Sequence, residues 1–417
     1  MAVLDLLGSM LKYVRKVFCS IDSDDELTIN WSANNPGFTD EFSKKMYRNL
    51  KENLNIDGSG AIVASPDTAT PGGSYYYHWM RDAGLTMMSW IDINNDDYEI
   101  LKVVLNAYVD WVFKVQKKFD PNHIDVRIEP KFEIPSGDPY TGAWGRPQTD
   151  GPALRAIALS KWGLILINYG KNEEARCKIW PLVKFDLEWV LQNWNSTGFD
   201  LWEEVQSNDF YFNRMSYIYS LNIASEFAEK LKDEEVMAKT YKKMAKSIKI
   251  STKSHWNGKF IYQSQNRPKD GAVIHAIVTF GIHLFGPGTK EAISTIRTLC
   301  ETFYNEYSIN QTMNEKGVPG ILIGRYPGDH YAGGNPWQLL TAALAEYFYL
   351  LAIDILKHKV NDTARIRRYL AMLNIHPPNN GNNYQINFSS KNLTCVKNML
   401  SFLVISVDIL SLFTFVI

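Results

Sequence analysis

From residue 40 to residue 358 apolar side chains return every three or four positions, segment after segment, with almost no alternating stretches between them. That rhythm predicts helices over Asp40–Leu54, Asp82–Ile93, Asp97–Lys117, Gly151–Tyr169, Pro181–Trp194, Asn213–Leu231, Asp233–Ile250, Ala272–Leu284, Thr289–Tyr304 and Pro336–His358. In the third of these Leu101, Val104, Leu105, Tyr108, Val112 and Val115 share one face, which must pack against neighbouring helices. Asp97, Pro181 and Thr289 mark helix starts, each supplying a cap or a preset φ. Strands are few and short, Gly60–Ala64 and Lys259–Gln263. Helices without alternating strands make an all-α architecture. No composition shift divides residues 37–358, which read as one domain behind an N-terminal extension, 1–36.

Composition narrows the function. The chain carries 44 Lys and Arg against 45 Asp and Glu, a net charge of -1, and this balance argues against a nucleic-acid partner. With 45% hydrophobic residues it buries enough apolar surface to fold. Its 20 Phe, 22 Tyr and 12 Trp are mostly core, and the remainder suits a cleft for flat amphipathic ligands. Cys19, Cys177, Cys300 and Cys395 lie too far apart for a zinc pair or a disulfide framework, so no metal or cofactor is expected. The N-terminus starts apolar but is interrupted by Asp5 and has its basic residues on the wrong side, so an amphipathic extension competes with a signal peptide. Cytoplasmic, vacuolar or lysosomal, and secreted locations all stay open.

The long connectors hold the chemistry, as long loops in compact domains usually do. YYYHWMRD, Tyr75–Asp82, places an Arg81–Asp82 pair beside Tyr75 and Trp79. YTGAWGRPQTDGPALR, Tyr140–Arg155, offers Trp144, Arg146, Gln148 and Asp150. DLWEEV, Asp200–Val205, carries adjacent Glu203 and Glu204, which cannot both aim at one atom and must play different parts. Burial of one beside Trp202 raises its pKa, as a general acid needs. GRYPGDHYAGGNPW, Gly324–Trp337, brings Arg325, Asp329, Tyr331 and Trp337 on a Gly-rich loop. The first three segments also have a plain reading: Asp82 and Asp150 as helix caps, Glu203 and Glu204 as solvated surface acids. Together, carboxylates, arginines and aromatics without a cofactor fingerprint suit a neutral polyhydroxylated ligand, a sugar.

The four segments, in this order and spacing, resemble the catalytic domain of fungal glucoamylases, glycoside hydrolase family 15, over about residues 30–360. The resemblance implies an (α/α)6 barrel that releases β-D-glucose from the non-reducing ends of α-1,4-glucans such as starch or glycogen, with inversion. It implies Glu203 as the general acid and Glu204 as a contact on the leaving-group side. Tyr75, Trp79, Arg81, Asp82, Trp144, Arg325 and Trp337 are implied around the terminal glucose, and Trp202 is a further substrate-binding candidate.

Two departures qualify this expectation. The family's general base is a Glu on a later segment, and no matching segment is recognisable after the 336–358 helix, so the base is not found. Ten predicted helices precede residue 359 where the barrel needs twelve, which leaves the ring incomplete. Residues 359–417 form a divergent tail whose 399–417 run has Asp408 as its only charge. At 1.5 Å per residue that run is roughly 28 Å long, enough to span a bilayer. A packed terminal segment and a membrane anchor are both consistent with it. A glucan-binding product without catalysis is therefore the alternative to an active hydrolase.

Overall fold

The computed structural model describes residues 40–69, 74–315 and 321–357. Among them are eleven α-helices of eight residues or more: α1 (Asp40–Glu52), α2 (Met80–Ile93), α3 (Tyr98–Gln116), α4 (Gly151–Asn168), α5 (Trp180–Asn193), α6 (Tyr211–Leu231), α7 (Glu235–Thr252), α8 (Ala272–Phe280), α9 (Lys290–Glu306), α10 (Ser308–Glu315) and α11 (Gln338–Lys357). Every predicted helix is present, and α10 is an addition. The six α3 residues predicted to share a face are all buried. Asp97 caps α3 by accepting the Ile100 amide at 3.0 Å, and Thr289 caps α9 by accepting the Ala292 amide at 3.2 Å.

The predicted strands do not form. Residues 60–64 are extended and mostly buried, but their amides are taken singly: Ile62 donates to the His78 ring, Val63 to the Asn53 carbonyl and Ala64 to the Tyr77 carbonyl. With donors scattered among unlike partners no ladder develops. In 259–263 only Ile261 bridges, to Trp256. The strands that exist are two-residue pairs, β1 (His78–Trp79) with β2 (Lys131–Phe132), and β3 (Gly198–Phe199) with β4 (Gln206–Ser207), both antiparallel.

The described residues fall into two compact units, described separately: 46–254, and 255–357 together with 40–45. In the first, α4 is the central rod. It is buried on almost every side, as expected of a helix apolar all round, and packs against α2, α5 and α6, while α6 packs on α7. Close approach is bought with glycine at two points: a Cβ on Gly84 of α2 would lie 2.9 Å from the Leu154 backbone, and one on Gly163 of α4 2.3 Å from the Phe227 ring. Inside this core Arg155 donates to both Asp186 oxygens, at 2.7 and 2.5 Å. In the second unit α8 packs on α11.

Among the described residues no helix is long and apolar enough to cross a membrane. The extension 1–36, the tail 359–417, its 399–417 run and Asp408 lie outside the described residues.

Candidate active site

The site in the first unit begins with a register. β1 and β2 pair Trp79 with Lys131, and α2 starts one residue later, so Trp79 and Arg81 leave a rigid junction rather than a loose loop. Opposite them, β3 and β4 close a hairpin whose turn carries Glu203 and Glu204. Asp200, 1% exposed, organises that turn: its carbonyl accepts the Glu203 amide at 2.9 Å and its Oδ1 accepts the amides of Glu204 and Val205 at 2.8 and 3.1 Å. Under this constraint Glu203 sits at φ 68°, in the left-handed region that an L residue with a bulky side chain rarely adopts.

The turn delivers the Glu203 carboxylate to three donors that converge on one oxygen. Oε1 accepts from Trp79 Nε1 at 2.7 Å, from Gln148 Nε2 at 2.8 Å and from Arg81 Nη2 at 3.4 Å. Oε2 makes no hydrogen bond among the described residues. Arg81 is itself fixed: Nη1 donates to Gln148 Oε1 at 2.8 Å and to Asp150 Oδ2 at 3.0 Å, and Nε lies 3.9 Å from Asp82. Asp150 therefore does not act as the cap that its place before Gly-Pro suggests. It makes no side-chain capping bond to α4 and pairs with Arg81 instead. Asp82 is not a cap either, since it lies within the first turn of α2 and Trp79 holds the cap position.

Aromatic walls complete this half. Tyr75 stacks on Trp79 with ring centres 5.9 Å apart, and Trp144 meets Trp79 at 5.7 Å and 64°. Among the described residues the buried Trp144 indole N–H has no hydrogen-bond partner. Arg146 turns away from this role. It pairs with the buried Glu129 at 2.7 Å and donates to the carbonyls of Gly142 and Tyr140, which holds the loop in shape. Glu204 is exposed and Trp202 half-buried beside the acid.

Behind the aromatic walls is a residue that the motifs do not announce. Lys131 is 2% exposed, and its ammonium nitrogen lies 3.8 Å from the Trp144 ring centre, 4.1 Å from those of Tyr77 and Tyr140 and 4.6 Å from that of Trp79. Burial brings its amine down to about 8, against the attraction of Glu203 and Glu133.

The second unit holds the other predicted cluster. Arg325, 2% exposed, clasps Asp329 with two hydrogen bonds of 2.7 and 2.6 Å, and its guanidinium lies 4.8 Å from the Tyr331 ring centre and 5.1 Å from that of Trp337. Burial alone would raise the Asp329 carboxyl, but Arg325 and the Tyr331 amide hold it below its usual range. Tyr75, Trp79, Arg81, Asp82, Trp144, Glu203 and Glu204 thus belong to one unit, and Arg325 and Trp337 to the other. Among the described residues no three His, Cys, Asp or Glu side chains converge as a metal site requires.

Comparison with known proteins gives this arrangement a context. The model of Glycosyl hydrolases family 15 matches residues 41–396, so the family pattern runs past residue 358 into the stretch that the sequence reads as a divergent tail. Glucoamylase-1 of Schizophyllum commune is 37% identical over 306 residues, covering 70% of this chain and 51% of that protein. Glucoamylase P of Amorphotheca resinae is 36% identical over 313 residues, covering 70% and 48%. The chain spans about half the length of these curated relatives. Among solved structures, Hormoconis resinae glucoamylase superposes with a TM-score of 0.72 at 31% identity, covering 87% of this chain and 64% of that one. The fold class is the (α/α)6 barrel.

Proposed function

The chain belongs to glycosyl hydrolases family 15, and from that premise we propose that it is a glucan 1,4-α-glucosidase that releases β-D-glucose from the non-reducing ends of α-1,4-glucans with inversion. The observation that carries this reading is the asymmetry of Glu203. Three donors converge on Oε1 and leave Oε2 without a hydrogen bond among the described residues, so Oε2 is the oxygen from which a proton can be offered. A proton on Oε2 can pass to the glycosidic oxygen as the bond breaks, the part of a general acid.

In this reading Arg81 and Asp82 orient the terminal glucose through charge-assisted hydrogen bonds, and Tyr75, Trp79 and Trp144 pack against the apolar faces of the sugar. Glu204 faces the leaving-group side and Trp202 is a further sugar contact; Arg325 and Trp337, in the second unit, are substrate-binding candidates on the family resemblance alone. Inversion also needs a second carboxylate, about 6.5–9.5 Å from the first, to activate water on the opposite face. That base is not assigned to a described residue. Starch and glycogen oligosaccharides are the substrates to test.

The test is glucose release from maltooligosaccharides by the full chain, with the anomer followed by NMR. β-Glucose is expected first. In Glu203→Gln the amide keeps the shape but cannot give up a proton, so kcat should fall about 10²- to 10⁴-fold while maltose binding stays near that of the parent. Tight binding without any hydrolysis by the parent would instead identify a glucan-binding protein.

A further inference from the structure

Lys131 has no part in the roles given above, yet it is the one buried lysine among the described residues. A buried cation is costly unless its surroundings compensate. Here they do so with the negative faces of four aromatic rings, Tyr77, Trp79, Tyr140 and Trp144. Trp79 is used twice, for its ring faces the ammonium while its edge N–H donates to Glu203 Oε1 at 2.7 Å. The β1–β2 pairing that sets Trp79 opposite Lys131 makes this shared use a fixed feature of the backbone.

We propose that Lys131 is a positioning residue for Glu203: by holding the Trp79 indole it aims the N–H that fixes Glu203 Oε1. The inference rests on Glu203 being the acid. The acidic groups facing the ammonium are Glu203, Glu133 and Glu129, which favour its charge, and Arg146 opposes it. The Tyr77 phenol in the same cage is raised by burial and stays neutral through the relevant range. Burial outweighs the acids, so the cation is lost as pH rises through about 8. Above that pH the indole loses its cationic anchor.

The experiment compares the full-length parent with K131M, which is neutral and similar in length, and K131R, which keeps the charge. For K131M kcat should fall about tenfold with KM changed less than about threefold, whereas K131R should retain most of the parent's kcat. A loss confined to KM, or an equal loss of kcat in both variants, would overturn the proposal. Near-UV circular dichroism of the Trp region supplies a readout that does not depend on turnover. The parent should show a step near pH 8 that K131M lacks, and E203Q should lower the pH of that step by removing a carboxylate that holds the proton on the amine. A step that persists in K131M, or that E203Q leaves in place, contradicts the link. A parent that shows the step but hydrolyses no glucan would count against the function proposed above and leave the Lys131–Trp79–Glu203 link standing.

Discussion

Asp200 accepts the Glu204 and Val205 amides with one carboxylate oxygen, and its backbone carbonyl takes the Glu203 amide, so the turn that carries the proposed acid is held by a residue that need never touch a sugar. Asp200→Ala should leave buried donors unpaired and cost about 1–3 kcal/mol of stability, read by denaturant unfolding. With the turn loosened, kcat should fall more than KM rises, because the three bonds to Oε1 depend on where Glu203 is held. Sequence made the proposed acid a candidate, since adjacent glutamates beside a tryptophan with Trp79, Arg81 and Trp144 upstream have a recognisable pattern. It did not expose Asp200 as the organiser, because a turn aspartate looks alike whether it caps, binds or idles. Lys131 was invisible for a different reason: its burial arises from the pairing of two-residue strands far apart in the chain, and strands that short leave no alternation to detect.

At the level of elements the helices were readable because their apolar faces are continuous over three to five turns, and packing then agreed with pattern. α10 escaped notice because eight mostly polar residues, SINQTMNE, carry too little stripe to register. The apolar run at 60–64 misled in the opposite direction, since burial alone does not make a strand when each amide finds a different acceptor. How closely helices may approach was not readable from periodicity at all. Gly84 and Gly163 set that distance, and alanine at either should destabilise the protein even though alanine is the better helix former. The propensity gain is about 1 kcal/mol, whereas overpacking a rigid contact costs about 1–3 kcal/mol. Thermal denaturation should therefore show a lower Tm for Gly84→Ala, whose Cβ would meet backbone atoms of α4 at 2.9 Å, and for Gly163→Ala, which would press on the Phe227 ring.

The stability of the whole molecule should carry the mark of one buried ring. His78 accepts the Ile62 amide at 3.1 Å, and burial, aided by Arg155, pushes its pKa down from 6.5 to about 3. Below pH 6.5 the unfolded chain takes up a proton that the folded one refuses until about pH 3, so stability falls as the solution is acidified across that window. From pH 7 to pH 5 the loss through this ring should be about 2 kcal/mol, and His78→Gln should flatten the unfolding profile by that amount over the same interval. The left-handed backbone of Glu203 has a comparable reach. Glycine or asparagine would sit there with about 1 kcal/mol less strain, so a variant library ranked only by survival of heating should enrich for the replacement of this glutamate. With Glu203 as the proton donor proposed above, selection for robustness and selection for chemistry would pull that single position in opposite directions, and a glutamate that persists at 203 would record which pressure has prevailed.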